Sequence, residues 1–234
     1  MGKWDWGLYA RDTGGGETYF HALMSAWGWT CSIAVLALIV ALLLGSIVGI
    51  MRTAPSRWMV AFGDGWTQLF RNIPLLVQIF LWYYVMPALI PPLLHLPTFV
   101  LVVLALGFFT SARISEQVRA GIQTLPQGQR YAGLAMGLTL PQTYRFVLLP
   151  MAYRIIIPPL TSESMNIFKN TAVAFAVSIA ELTQFALQSS EETSKFEEIF
   201  IPVTVLYFIS AYAINQLAKL LERRVRVPGM LGAK

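Results

Sequence analysis

Uncharged apolar stretches alternate along this chain with short polar segments, and their lengths are those of bilayer-crossing helices. Residues 18–51 hold no Asp, Glu, Lys or Arg, and within them Cys31–Met51 is 21 residues of nearly pure apolar sequence. A spanning helix needs about 20 such residues. Residues 72–112 form a second uncharged run, too long for one helix, and Pro87, Pro91, Pro92 and Pro97 break it near its middle. It predicts spans near 73–90 and 98–115. Residues 199–218 predict another. The stretch 151–175 is apolar but interrupted by Arg154, Glu163 and Lys169, and it is read as a span with one polar face.

Composition agrees with this pattern. Apolar residues make up 56% of the 234 residues and charged residues 12%, whereas a soluble domain has about 25% charged residues. Half the usual charge cannot cover a water-facing surface of this size. Soluble globular, disordered and collagenous classes are excluded. The single cysteine, Cys31, and two histidines rule out internal disulfides, cysteine-rich zinc sites and histidine-rich metal sites.

The net charge of +5 suits nucleic acid or anionic lipid until the charges are placed. Eleven basic residues fall on one side of the spans: Arg52, Arg57, Arg119, Arg130, Arg145, Arg154, Lys219, Arg223, Arg224, Arg226 and Lys234. Only Lys3, Arg11 and Lys195 fall on the other. By the positive-inside rule, this predicts an all-α membrane protein of five spans, N-terminus outside and C-terminus inside. Residues 176–198, with Glu191, Glu192, Glu197 and Glu198, are then an outer loop or re-entrant segment. Bases dispersed over membrane-side loops exclude nucleic acid as partner. No cleavable signal peptide is expected, because Asp5, Asp12 and Glu17 precede the apolar run. Gly45 and Gly49 are either spaced for close helix packing or an ordinary glycine pair of a membrane helix. Trp4, Trp6, Trp27, Trp29, Trp66 and Trp82 read as interfacial belt residues.

The segment 119–150 is patterned. Pro126 can open a helix, and Tyr131, Leu134, Ala135 and Leu138 follow a helical apolar stripe. Gly133 and Gly137 form a small-residue patch for close approach. Thr139 and Pro141 start another helix. A short amphipathic helix of this kind either docks a partner or lies on its own bundle and the headgroups.

Three polar clusters fall inside or beside spans, where charge is costly and usually faces a cavity or a partner. Ser162, Glu163, Asn166, Lys169 and Asn170 share one helical arc, read as a pathway lining or as an internal network. Thr110, Arg113, Glu116 and Gln117 share another. Arg113 and Glu116 fit an i,i+3 ion pair; alternatively the planar Arg113 fork receives a substrate carboxylate. Arg71 and Asn72 read as an interfacial anchor, with Gln78 deeper in the span.

Tyr131-Ala132-Gly133-x-x-x-Gly137, nine residues, Val147-x-Leu149-Pro150 resembles the signature loop of ABC-importer permeases, E-A-A, three residues, G, nine residues, I-x-L-P. Tyr131 stands where that signature has Glu, and Gly133 where it has the second Ala. Glu116-x-x-Arg119-x-Gly121-Ile122-Gln123, Phe70-Arg71-Asn72-x-Pro74-Leu75-Leu76-Val77-Gln78 and Asn166-Ile167-Phe168-Lys169-Asn170-Thr171 resemble the polar amino-acid branch, and Gln129–Gly137 is most similar to its glutamate/aspartate permeases. The resemblance covers about residues 20–222. It implies one permease domain over 1–234 of the type I architecture, in a bacterial inner (cytoplasmic) membrane, working by alternating access. It implies a second permease subunit, a paralogue rather than a copy. It further implies two cytoplasmic ATP-binding subunits that bring ATP and Mg, and a periplasmic substrate-binding protein. The helix near 127–138 would be the coupling helix, with Tyr131, Ala132, Gly133, Gly137, Leu149 and Pro150 in its signature. No cofactor is expected in this chain, which has no G-x-x-x-x-G-K-[ST] loop.

Two other classes compete for the same residues. A gradient-driven secondary transporter or channel for a small anionic solute would use Glu163 and Lys169 as relay groups, but no internal repeat is evident. An intramembrane enzyme finds no H-E-x-x-H, G-x-S-x-G or Cys–His pair to support it.

Overall fold

Long apolar stretches without backbone breakers become long helices. The structure, a computed structural model, describes residues 4–225. Its regular elements are all helical: α1 (Tyr19–Met51), α2 (Arg57–Asn72), α3 (Leu75–Leu89), α4 (Thr98–Thr124), α5 (Gln127–Ala135), α6 (Leu140–Val177), α7 (Leu182–Thr193) and α8 (Phe196–Val225). A 3₁₀ turn, Trp6–Ala10, precedes α1. Helices α1, α4 and α8 are each long and apolar enough to cross a bilayer alone. The count reaches five only if two bent pairs each form one span: α2 with α3, bent by 105°, and α6 with α7, bent by 49°.

Several boundaries differ from the sequence reading. Helix α1 starts at Tyr19, twelve residues before the apolar core of the run, because nothing between them breaks a helix. Helix α2 lies in a stretch read only as a connection. It is amphipathic, burying Gly63 and Thr67 while Trp58 and Phe62 are exposed. It ends at Ile73-Pro74, where proline disfavours helix in the preceding residue. Helix α4 continues past 119 to Thr124, with Arg119 ion-paired at 3.1 Å to Asp64. The segment 176–198 is not irregular: it contains α7. Pro158 and Pro159 sit inside α6, and the helix continues through them.

The chain divides into two compact units. The first comprises residues 4–39, 74–107 and 165–213. Its apolar centre joins Leu8 of the N-terminal turn, Tyr19, Leu23 and Ala26 of α1, Leu182, Phe185 and Ala186 of α7, and Ile199 and Val203 of α8. Polar contacts fasten the same elements. Asp5 is ion-paired to Lys195 and to Arg11, the Tyr9 hydroxyl donates to the Glu198 carbonyl at 2.9 Å, and the Leu182 N–H donates to Thr30 Oγ1 at 3.1 Å. Burial, with Glu198 nearby, pushes the Tyr9 hydroxyl up to about 12. Glu181 caps α7, accepting from the N–H groups of Thr183 and Gln184 at 2.8 and 2.9 Å and from the Tyr207 hydroxyl at 2.9 Å.

The second unit comprises residues 40–73, 108–164 and 214–225. Here α1 and α4 approach through glycine. A Cβ on Gly45 would stand 2.7 Å from Ile114, and one on Gly49 2.6 Å from Val118. Tyr153 donates to Ser46 at 2.6 Å, and Tyr144 to the Thr53 carbonyl at 2.7 Å. Two tryptophans depart from the interfacial reading. Trp66 donates to Ser111 at 3.0 Å and packs on Phe70 and Phe108, and in the first unit Trp82 is buried.

Candidate functional site

The most charged part of the second unit is built around Arg52. Its side chain is 5% exposed and has three partners: Asp64 at 2.7 Å, Glu116 at 3.2 Å and Ser115 at 3.1 Å. Arg119 shares Asp64, and Arg71 shares Glu116 at 3.3 Å. Thr67 lies 2.7 Å from Ser115. A buried guanidinium needs partners for its donors, and α2 and α4 supply them. Among the described residues Glu116 therefore does not form an i,i+3 pair with Arg113. Arg71 is tied to Glu116 rather than acting only as an anchor. Sequence reasoning counted Arg52 and Arg119 only as orientation charges and did not use Asp64; their pairing crosses helices and leaves no periodic signal.

Arg113 instead meets α6. Its Nε lies 2.9 Å from the Glu163 carboxylate. The arginine side chain is 44% exposed and the glutamate 6%. Gln117 donates to Glu163 at 3.3 Å. The contact is an ion pair without hydrogen-bond alignment, since Glu163 Oε2 is buried with no hydrogen-bond partner among the described residues. The guanidinium fork is therefore close to the carboxylate but not saturated by it. Such a fork can take a planar anion. Ser162, one residue before Glu163, is exposed.

In the first unit, Asn166, Lys169 and Asn170 follow on the same uninterrupted stretch of α6. Lys169 is exposed and has no ion pair among the described residues, while Asn166 and Asn170 are half-buried. Gln78 on α3 is 2% exposed. Among the described residues no three His, Cys, Asp or Glu come together to hold a metal ion.

The segment after α4 shows how its sequence folds. Pro126 precedes α5 as its N-cap. The helix ends at Ala135, short of Leu138, because Gly137 has φ +84°, a conformation that favours glycine. The Leu138 N–H reaches the Gly133 carbonyl at 3.1 Å and the Gly137 N–H that of Leu134 at 3.0 Å, which together satisfy the last carbonyls of the helix. Gly133 does give close approach, since a Cβ there would lie 2.9 Å from Thr143; Gly137 does not, and its role is conformational. Thr139 and Gln142 then form a reciprocal capping box for α6. Ala132 lies within α5, and Leu149 and Pro150 follow the π-helical turn Tyr144–Leu148 at the start of α6's long helical stretch. Tyr131 and Met136 are left 63% and 83% exposed, apolar surface beside an ordered turn.

Known proteins share this chain's sequence and helices. Residues 41–227 match the family described as binding-protein-dependent transport system inner membrane component. The glutamate/aspartate import permease protein GltJ of Escherichia coli (strain K12) is 42% identical, over 99% of this chain and 98% of its own length. The glutamate/aspartate import permease protein GltK of Escherichia coli O6:H1 is 30% identical over 83% of this chain and 89% of its own. A crystal structure of an amino acid ABC transporter with histidines superposes with TM-score 0.76 at 29% identity, covering 88% of this chain and 95% of that one. The fold of the MetNI methionine ABC transporter in an inward-facing form also matches, with TM-score 0.76 at 21% identity over 88% and 97%. The chain belongs to the binding-protein-dependent transport system inner membrane component family: it is a multi-pass ABC-importer permease, not an enzyme.

Proposed function

We propose that this chain is one half of the translocation pathway of an importer for glutamate and aspartate in a bacterial inner membrane. It crosses five times, N-terminus outside and C-terminus inside, as the distribution of basic residues supports. GltJ and GltK are both similar to it, and on that ground its partner permease is a paralogue. Two ATP-binding subunits and an extracytoplasmic binding protein complete the assembly.

The observation that carries the substrate reading is the Arg113–Glu163 pair. A half-exposed guanidinium tethered by a buried carboxylate is positioned without being saturated. A substrate carboxylate approaching its fork makes a paired, charge-assisted contact. Glu163 keeps the arginine from trapping the anion, since it competes for the same charge. Gln78, Ser162, Asn166, Lys169 and Asn170 are further pathway candidates, and Glu116 orients Arg71 and Arg52 beside it. On the opposite face, α5 seats in a groove of the ATPase with Tyr131 and Met136 as apolar contacts. ATP-driven closure of the ATPases moves α5 and opens the pathway outward; hydrolysis returns it.

The test is reconstitution with cognate partners. Glutamate-stimulated ATPase activity should fall about tenfold in Arg113→Gln/Glu163→Gln relative to Glu163→Gln alone, with assembly retained. An unchanged glutamate response would remove Arg113 from the substrate's path.

A further inference from the structure

A cavity of about 290 Å³ opens in the second unit where α1 ends, α4 passes into α5 and α6 begins. Its polar lining is Arg52, Thr53, Gln123, Gln127, Arg130 and Tyr144, with no carboxylate among them. The Tyr144 hydroxyl is already spent on the Thr53 carbonyl at 2.7 Å, so the two arginines set the chemistry. Arg130 is half-buried, and its Nε is shielded from water without a hydrogen-bond partner. Its guanidinium has no ion pair among the described residues. Buried donors are ordinarily paired, and leaving a charged one bare is costly.

The charge around Arg52 is not balanced either. Arg52, Arg71 and Arg119 share two carboxylates, Asp64 and Glu116, which leaves one positive charge over. A guanidinium has five N–H donors, and Arg52 directs three of them to Asp64, Ser115 and Glu116. Pro126 and Gln127, at the start of the nine-residue α5, line the same cavity and add the positive end of a helix dipole. Two guanidiniums in a small cavity that no carboxylate lines match a compact oxyanion, which their planar forks bind in pairs of hydrogen bonds. We infer that this cavity binds a phosphate group, held by the Arg130 and Arg52 guanidiniums. The orientation proposed above puts the junction on the cytoplasmic side, where basic pockets between spanning helices receive phospholipid headgroups. Ile122 and Leu148 on the cavity wall suit the apolar part of such a lipid. Free phosphate has the same chemistry. The lipid source rests on the proposed orientation; the phosphate site itself does not.

The experiment uses the complete transporter purified in a neutral detergent. Native mass spectrometry counts phosphatidylglycerol retained against phosphatidylcholine, and thermal unfolding compares inorganic phosphate with chloride at equal ionic strength. Arg130→Gln should weaken phosphate-group binding about fivefold or more. Arg130→Lys should retain part of it, and Arg145→Gln, a cation outside the cavity, should bind as the parent does. Selective, Arg130-dependent retention of phosphatidylglycerol supports the lipid headgroup as the source. An Arg130-dependent rise in Tm with phosphate, without lipid selectivity, supports the free ion. Equal retention of both lipids and no phosphate-specific rise in Tm would overturn the inference, and a cavity already closed by an acidic side chain of the ATPase gives that same result. Binding that survives Arg130→Gln unchanged would overturn it as well. Loss of ATP-driven glutamate uptake would instead sink the importer reading and leave this site standing.

Discussion

The Arg113 guanidinium lies 2.9 Å from the Glu163 carboxylate, one partner half exposed and the other buried. That asymmetry makes the two single substitutions unequal. Arg113→Leu leaves a carboxylate buried with only Gln117 to answer it, a cost of up to about 3–5 kcal/mol. Glu163→Gln leaves a guanidinium that water already reaches, at about 1 kcal/mol or less. Thermal unfolding of the purified protein should show a much larger fall in Tm for Arg113→Leu, and the double variant Arg113→Leu/Glu163→Leu should recover most of it. Equal losses would contradict the pairing.

Close packing of α1 on α4 depends on the absence of two Cβ atoms. Gly49→Ala puts a methyl 2.6 Å from Val118 and 2.9 Å from the Ser115 carbonyl, so we expect a destabilisation of about 1–3 kcal/mol. Gly28→Ala in the same helix meets nothing within 4 Å and should be neutral or stabilise by about 0.5–1 kcal/mol. Comparing the two unfolding temperatures checks the contact. Matching behaviour would show that α1 does not pack there.

Gly137 ends α5 in a left-handed conformation. Gly137→Val should therefore disturb the turn between α5 and α6 at roughly 1–2 kcal/mol and lower the uptake achieved per ATP hydrolysed. Gly137→Asn, which tolerates positive φ, should retain most coupling. The ratio of transport to hydrolysis in proteoliposomes separates these outcomes.

The N-terminal turn has an acid-sensitive fastening. The Lys195 ammonium, then Arg11, hold the Asp5 carboxyl below its ordinary value of 3.8 against some desolvation. A depressed carboxyl stabilises the folded contact above 3.8, and the contribution is lost as pH falls through the lower folded value. Trp4 and Trp6, stacked at 5.6 Å, should report this as a fluorescence change on acidification below that range. Asp5→Asn should show the acid-form spectrum already at neutral pH; an unaltered titration would exclude the clasp.

The long helices were legible because exclusion of charge over about 20 residues is a property of composition. Helix α2 was hidden because Arg57, Asp64 and Arg71 punctuate it, and Asp64 and Arg71 are answered by Arg52, Arg119 and Glu116 only after folding. The polar arc of α6 could be drawn on a helical wheel, but Arg113's partner could not. The nearest carboxylate in sequence, Glu116, is taken by Arg52, and the one that meets Arg113 is 50 residues away. Glycine spacing located Gly133 and Gly137 without distinguishing close approach from backbone conformation.

The central claim is that ATP hydrolysed by separate subunits drives acidic amino acids through this chain. Proteoliposomes holding this chain, its paralogous permease, the ATPase and the binding protein decide it most directly. The account predicts glutamate and aspartate uptake that requires internal ATP and falls at least tenfold with a hydrolysis-deficient ATPase. Uptake that proceeds without ATP, driven by an ion gradient across the same vesicles, would contradict it.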